Sequence, residues 1–233
     1  MTDDASAASA PIPAATVVLV RDRVAGLETL MLRRNAKLAF GGMWVFPGGR
    51  IEPGDGEGEA GARRAATREA AEETGLVVDS ELLVPFAHWV PPPVAPKRFA
   101  TWFFLAPAPA GVVSVDGGEI RDHVWVTPAT ALARHAAGEI QLAPPTWVTL
   151  HRLTRATDVT SAMADARKGP VEVFSTRILT GSDGELVAVW HGDVAYEGGD
   201  LSAAGSRHRL SMVDGGWRYE RFSSEPPARS PNE

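Results

Sequence analysis

The chain has 233 residues, 44% of them hydrophobic and 22% charged, with 23 Lys and Arg against 29 Asp and Glu and no cysteine. A chain of this length can bury about 70–75% of its unfolded surface, so it can build a core without staples, and the missing thiols exclude disulfides, thiolate zinc sites and a cysteine nucleophile. A formal net charge of −6 argues against capture of a nucleic acid backbone, and no uncharged stretch reaches the ~20 apolar residues of a membrane-spanning helix.

In chain order, residues 1–14 read as a disordered Ala/Ser/Pro leader whose Asp3 and Asp4 stand where a secretory signal would be basic. The reading is therefore a cytoplasmic protein. Residues 16–21 and 28–32 are short β-rich runs joined by a turn, and 44–46 is a third apolar burst ended by Pro47-Gly48-Gly49. A run of strong helix formers over 62–74 follows, closed by Gly75 as the residue after the helix. Strands are predicted over 81–89, 98–105 and 122–126, and helices over 128–137, 144–153 and 160–168, the first two opening on proline. Beyond Gly169 the pattern turns to β, with runs over 171–180, 185–190, 208–213 and 217–222. Gly-rich turns at 181–184 and 214–216 predict two hairpins there. Residues 223–233 read as a disordered tail. The division expected is thus a main domain over 15–158 and an extension of helix and hairpins over 159–222.

The chemistry concentrates on the helix over 62–74. Glu69, Glu72 and Glu73 stand at i, i+3 and i+4, so at 100° per residue the three carboxylates share one face. Like charges so placed repel and call for a cation. Oxygen donors suit a hard ion such as Mg²⁺ or Mn²⁺, which favours a phosphate-bearing substrate. Ala62, Ala65 and Ala66 lie in the same sector, small enough for the Gly48-Gly49 backbone to approach and bring a carbonyl toward the metal. On residue types alone, the same face also reads as a solvated acidic surface partly neutralised by Arg63, Arg64 and Arg68.

The spacing of Gly49, Arg68, Glu69, Glu72, Glu73, Gly75 and Leu76 resembles the box of the Nudix hydrolases, G-x5-E-x7-R-E-U-x-E-E-x-G-U with U a bulky aliphatic residue. Asp55 stands in place of the first Glu, the spacer to Arg68 is five residues longer, and Ala70 replaces a larger residue. The resemblance implies an α/β class fold, an α/β/α sandwich with a mixed β-sheet, here carrying a β-rich C-terminal extension. It implies that Glu69, Glu72 and Glu73 hold divalent cations with help from the Gly48 carbonyl. By the same resemblance Asp55 or Glu59 pairs with Arg68 to support the loop, and Gly49 and Gly75 shape the box. The reaction implied is metal-dependent hydrolysis of the diphosphate in a nucleoside diphosphate linked to another moiety, with Glu69 as the first candidate base.

Outside the box, residues 88–93, 97–99 and 140–146 resemble a Nudix subgroup related to peroxisomal coenzyme A diphosphatases. On that likeness the substrate is coenzyme A or acyl-CoA, cleaved to 3′,5′-ADP and 4′-phosphopantetheine. ADP-ribose, NADH or nucleotide sugars are the alternative substrates, and a non-catalytic metabolite-binding module is the alternative of another class. Lys97 and Arg98 sit where they could meet a 3′-phosphate, or serve as edge-strand charges. Arg33, Arg34 and Lys37 are further phosphate candidates, and Trp89 or Trp102 could stack on an adenine ring. His88 reads as a packed residue or a base. The strand edges of the extension suit a homodimer surface.

Overall fold

The computed structural model describes residues 10–37, 41–93, 95, 98–115 and 117–223. Lys97 and the leader up to residue 9 lie outside that set, as does the tail from residue 224. The chain divides into two compact units, one ending at Phe174 and the other beginning at Ser175.

The first unit is built on a mixed sheet. Strand β1 (Ile12–Arg23) pairs antiparallel with β2 (Gly26–Arg34) only near their shared turn, Val20 with Thr29 through Arg23 with Gly26. Beyond those pairs the two strands part. The segment that follows β2 fills the gap, with β3 (Trp44–Val45) on β2 and β4 (Gly48–Arg50) on β1. Val17 N–H donates to the Pro47 carbonyl at 2.9 Å, and the Thr16 hydroxyl donates to the same oxygen at 2.6 Å. A glycine-bearing backbone is thereby held inside a split in the sheet.

The long helix α1 (Gly58–Thr74) lies over this split. It starts four residues earlier than the propensities suggest: a 3₁₀ turn at Pro53–Asp55 ends just before it, and the lengthened spacer between Asp55 and Arg68 supplies the helix's first turns. Ala62, Ala65, Ala66 and Ala70 are fully buried with Ala15, Val17 and Leu19 of β1. Gly75 closes the helix in the left-handed region at φ 70°, its N–H donating to the Ala71 carbonyl.

The sheet continues with β5 (Val84–Val90) antiparallel to β6 (Phe99–Pro107), which runs parallel to β1, and with β7 (Ile120–Val126) on β2. Helices α2 (Pro128–Ala136), α3 (Pro144–Leu153) and α4 (Val159–Ala166) follow, α2 and α3 opening on proline as read from the sequence. The edge strand β8 (Glu172–Ser175) extends the order β3-β2-β1-β6-β5-β8. Two boundaries differ from the sequence reading. β1 begins inside the stretch read as leader, because Ile12 N–H donates to the Arg98 carbonyl at 2.7 Å. α4 belongs with the first unit, because Ala162 and Met163 are buried on it against β1, β5 and β6.

The second unit is an antiparallel four-stranded sheet in the order β12-β11-β10-β9. Its strands are β9 (Arg177–Thr180), β10 (Leu186–Val189), β11 (Arg207–Met212) and β12 (Arg218–Phe222), with the short helix α5 (Ala195–Gly198) between β10 and β11. Both Gly-rich turns join neighbouring strands. The run 171–180 is broken at Thr176 into β8 and β9. Asp193, with no exposed side-chain surface, accepts from Arg209 Nε at 2.7 Å and from the His208 and Ala195 amides at 2.9 Å each. No helix among the described residues is long and apolar enough to cross a membrane.

Candidate active site

The face of α1 that carries the alanines changes character in its last turns, where it leaves the apolar sheet and passes over β4. Glu69 and Glu73 point into that end of the split. Glu73 is 5% exposed, and its Oε2 accepts the Gly48 N–H at 3.0 Å. Gly48 can offer that amide because its neighbours Pro47 and Ile51 make the bonds to β1, leaving its own N–H on the other edge. A Cβ on Gly48 would strike the Ala15 carbonyl and Thr16, and one on Gly49 would collide with the Glu69 carboxylate. The close approach expected of these glycines thus occurs, but Gly49 meets Glu69, not the alanines, which pack on β1 instead.

Arg68 ties the box together. Its Nη2 donates to Asp55 Oδ2 at 2.8 Å and to the Arg50 carbonyl at 3.0 Å, and its Nε donates to Asp55 Oδ1 at 3.3 Å. Nη1 turns the other way, donating to Glu69 at 2.8 Å and Glu72 at 3.1 Å. Of the two acids offered to Arg68 by the sequence, Asp55 is the partner. Glu59 is corrected to an ion pair with Arg63 at 2.7 Å, four residues along the exposed side of α1. Asp55 is further fixed by accepting the Glu52 amide at 2.9 Å. The shorter acid reaches Arg68 because the 3₁₀ turn brings its backbone under the helix.

The electrostatics are uneven. Hydrogen bonding from Arg68 holds the Asp55 carboxyl below its ordinary value, and Asp55 in turn raises the Arg68 guanidinium. Burial raises Glu69, against the opposing pull of Arg68. Burial pushes Glu73 up to about 8, and neither the Gly48 amide nor Arg34, 3.9 Å away, restores it. Acid therefore exceeds base at this point of the molecule. Arg34, half-buried at the end of β2, also pairs with Glu119 at 3.0 Å. Glu119, on the loop before β7, adds a further negative charge that raises Glu69 and Glu73. Sequence reasoning missed Glu119, because its approach depends on the Asn35 side chain binding the Gly118 carbonyl and on β7 pairing with β2.

The remaining candidates scatter. Arg33 is exposed and its neighbour Arg34 takes the place beside the glutamates. Trp89 is 4% exposed and stacked on Phe174 with centroids 3.9 Å apart, so its ring is part of the packing and is corrected from an adenine platform to a core residue. His88 lies 4.7 Å from Trp102 with the two rings tilted by 30°, and burial lowers its pKa. Arg98 is half-buried at the start of β6, where its carbonyl anchors β1. Gln141, in the segment before α3, accepts the Trp44 N–H at 3.0 Å and so lies against β3 beside the glycine strand.

Whether a divalent cation fits is decided by the donors. Among the described residues, no three acidic or histidine groups already converge as a metal cage, since the Arg68 Nη1 spans Glu69 and Glu72. The donor set itself is right for a hard ion. It consists of oxygens alone, includes the desolvated Glu73 carboxyl, and borders a glycine backbone that admits close approach.

A family model described as NUDIX domain matches residues 10–158. A NUDIX hydrolase from Alicyclobacillus acidocaldarius superposes with a TM-score of 0.63 at 25% identity, covering 70% of this chain and 99% of that one. The NUDIX domain of Shewanella oneidensis NrtR, solved in complex with ADP ribose, superposes with a TM-score of 0.50 at 20% identity, covering 66% and 97%. None of the curated proteins matches the sequence. The chain belongs to the Nudix family, and it is an enzyme of the pyrophosphohydrolase class.

Proposed function

We propose that this protein hydrolyses the diphosphate of a nucleoside diphosphate joined to a second moiety, using Mg²⁺ or Mn²⁺ held by Glu69, Glu72, Glu73 and the Gly48 carbonyl. The observation that carries this reading is the buried Glu73 carboxyl at the floor of an acid-rich split, pushed up to about 8 and short of positive charge. When bound, a divalent ion supplies positive charge against the diphosphate and acidifies water. The chain's own residues do the rest. Arg68 keeps Asp55 and the Arg50 carbonyl through Nε and Nη2, so releasing Nη1 from Glu69 and Glu72 frees two carboxylates without loosening the loop. Glu69, whose pKa is raised by burial, is the candidate to take a proton from the attacking water.

Coenzyme A or acyl-CoA is the first substrate class. The likeness of 140–146 to the coenzyme A subgroup is joined by the contact of Gln141 with β3, which puts that segment next to the glycine strand. Arg98, with Lys97 before it in sequence, is the candidate partner for the 3′-phosphate. ADP-ribose is the second reading, favoured by the ADP ribose complex of the NrtR domain. A hydrolysis screen across CoA, acyl-CoA, ADP-ribose, NADH and nucleotide sugars, with product identification at saturating Mg²⁺ and Mn²⁺, separates them. Release of 3′,5′-ADP from CoA is the expected result. ADP-ribose cleavage with CoA untouched would transfer the assignment to the second reading, and no hydrolysis of any member would sink both.

A further inference from the structure

Among the described residues, β12 of the second unit pairs with β11 alone, so its other side is a sheet edge. Proteins commonly guard such an edge with proline, lysine or a bulge. β12 has none of these. Its sequence is Arg218-Tyr219-Glu220-Arg221-Phe222, and it follows β11 without a shift of register. Arg218, Arg221 and Phe222 are exposed, Phe222 at 54%.

The order of side chains along this edge is self-complementary in one register. A two-fold axis normal to the sheet keeps every side chain on its own face, so pairing of two copies must set one residue opposite itself. Arg218, Glu220 or Arg221 on the axis would oppose like charges, which is destabilising. Phe222 there would overlap only the strand ends. Tyr219 is the position left. With Tyr219 on the axis, Arg218 falls opposite Glu220 of the second copy, and the symmetry repeats that contact. Arg218 and Glu220 already share a face, 3.3 Å apart within one strand, so the two copies close a square of alternating charge. A lone exposed ion pair contributes little, but a network contributes more. On the other face, Trp217 falls opposite Arg221 of the second copy, where a guanidinium over an indole adds a cation–π contact.

We propose that the outer edge of β12 is a self-association surface whose partner is a second copy of this chain, paired antiparallel about Tyr219. The two four-stranded sheets then form one continuous sheet with β9 at both ends. A single pair of short strands is a small interface, so the dimer is weak and forms with rising concentration.

Sedimentation equilibrium of the full chain over a concentration series tests the association. The expected result is a reversible monomer–dimer equilibrium. Arg218→Glu should weaken it about tenfold or more by setting glutamates opposite each other, and Arg218→Glu combined with Glu220→Arg should restore it. Cysteine pairs test the register, since the chain has no cysteine of its own. Opposed residues of an antiparallel pair have Cα atoms about 4.5–5.5 Å apart, within disulfide reach, whereas Arg218 to Arg218 or Glu220 to Glu220 across this axis is roughly 8 Å, beyond it. Under mild oxidation, Arg218→Cys protein mixed with Glu220→Cys protein should therefore crosslink into a dimer of the two variants, while neither crosslinks alone. That readout is independent of the charge variants, and cooperative melts check that each variant folds. A monomer at every concentration, a dimer indifferent to Arg218→Glu, a mixture that fails to crosslink, or a variant that crosslinks with itself would overturn the proposal.

Discussion

Among the described residues, two Arg–Asp pairs of the same chemistry serve opposite ends. In the second unit, Arg209 and Asp193 are almost wholly buried, and Asp193 accepts from the guanidinium and two backbone amides. Burial works against the Asp193 carboxylate, yet Arg209 and those amides outweigh it and hold its pKa low. One charge cancels one charge, and nothing is left over. In the first unit, Arg68 meets Asp55 at 2.8 Å, but it also faces Glu69 and Glu72, with Glu73 beyond its reach. Positive charge is rationed there. A closed pair holds a fold together, whereas a pair embedded in surplus acid leaves ligands for a cation. What differs is the local charge balance, not the bridge.

The largest test of that contrast is turnover. Glu72→Gln with Glu73→Gln should lower kcat by at least about 10³-fold, because two of three anionic donors are lost, while a substitution at Asp193 should leave the metal dependence of kcat unchanged. Equal activity of the double variant, measured at saturating Mn²⁺, would break the metal assignment. Next comes Asp193→Ala, which leaves Arg209 buried and uncompensated and should cost about 3–5 kcal/mol in denaturant unfolding of the second unit.

Glu73 supplies a test by pH. Its carboxyl has an ordinary pKa of 4.5 and a folded value of about 8, so the unfolded chain loses this proton first. Metal-free protein should therefore lose stability between about pH 4.5 and pH 8 through this group and level off above, which is the sign opposite to a salt-bridged acid. Glu73→Gln should flatten that fall, and Mg²⁺ or Mn²⁺ should counter it, releasing about one proton per chain into weak buffer at pH 7. Asp55 behaves in the reverse sense. Its lowered pKa gives stability that is present above the ordinary carboxylate value and lost as pH falls through the folded one. Asp55→Asn should cost about 1–2 kcal/mol in the first unit and also weaken metal binding, because Arg68 would turn more fully onto Glu69 and Glu72. Smallest of all, Glu59→Ala should change stability by only about 0.3 kcal/mol, the worth of an exposed i, i+4 pair. A loss comparable to that of Asp55→Asn would mean that Glu59 supports the box after all.

Much of the site was legible in the sequence because helical spacing is a local property. Glu69, Glu72 and Glu73 share a face wherever α1 is placed, and Gly75 ends the helix by its own backbone freedom. The proline starts of α2 and α3 were legible for the same reason. Glu59 against Asp55 was not, since the answer depends on a 3₁₀ turn that folds Asp55 beneath the helix. Arg34 and Glu119 are 85 residues apart and meet only through the pairing of β2 with β7. Trp89 looked like a ligand platform because a sequence shows a ring but not the Phe174 stacked on it.

By itself, the sequence determined a cysteine-free acidic chain with three carboxylates on one helix face, the Gly-Gly strand preceding them and a β-rich end. Tertiary structure decided the inequality among those carboxylates. Glu72 stays in water, Glu69 lies under Gly49, and Glu73 is buried against the Gly48 amide. The physical reason is that spacing sets direction, while desolvation and charge balance depend on which backbone packs above. Here that backbone is the strand wedged between β1 and β2, and its position makes an acidic helix face a place for a cation.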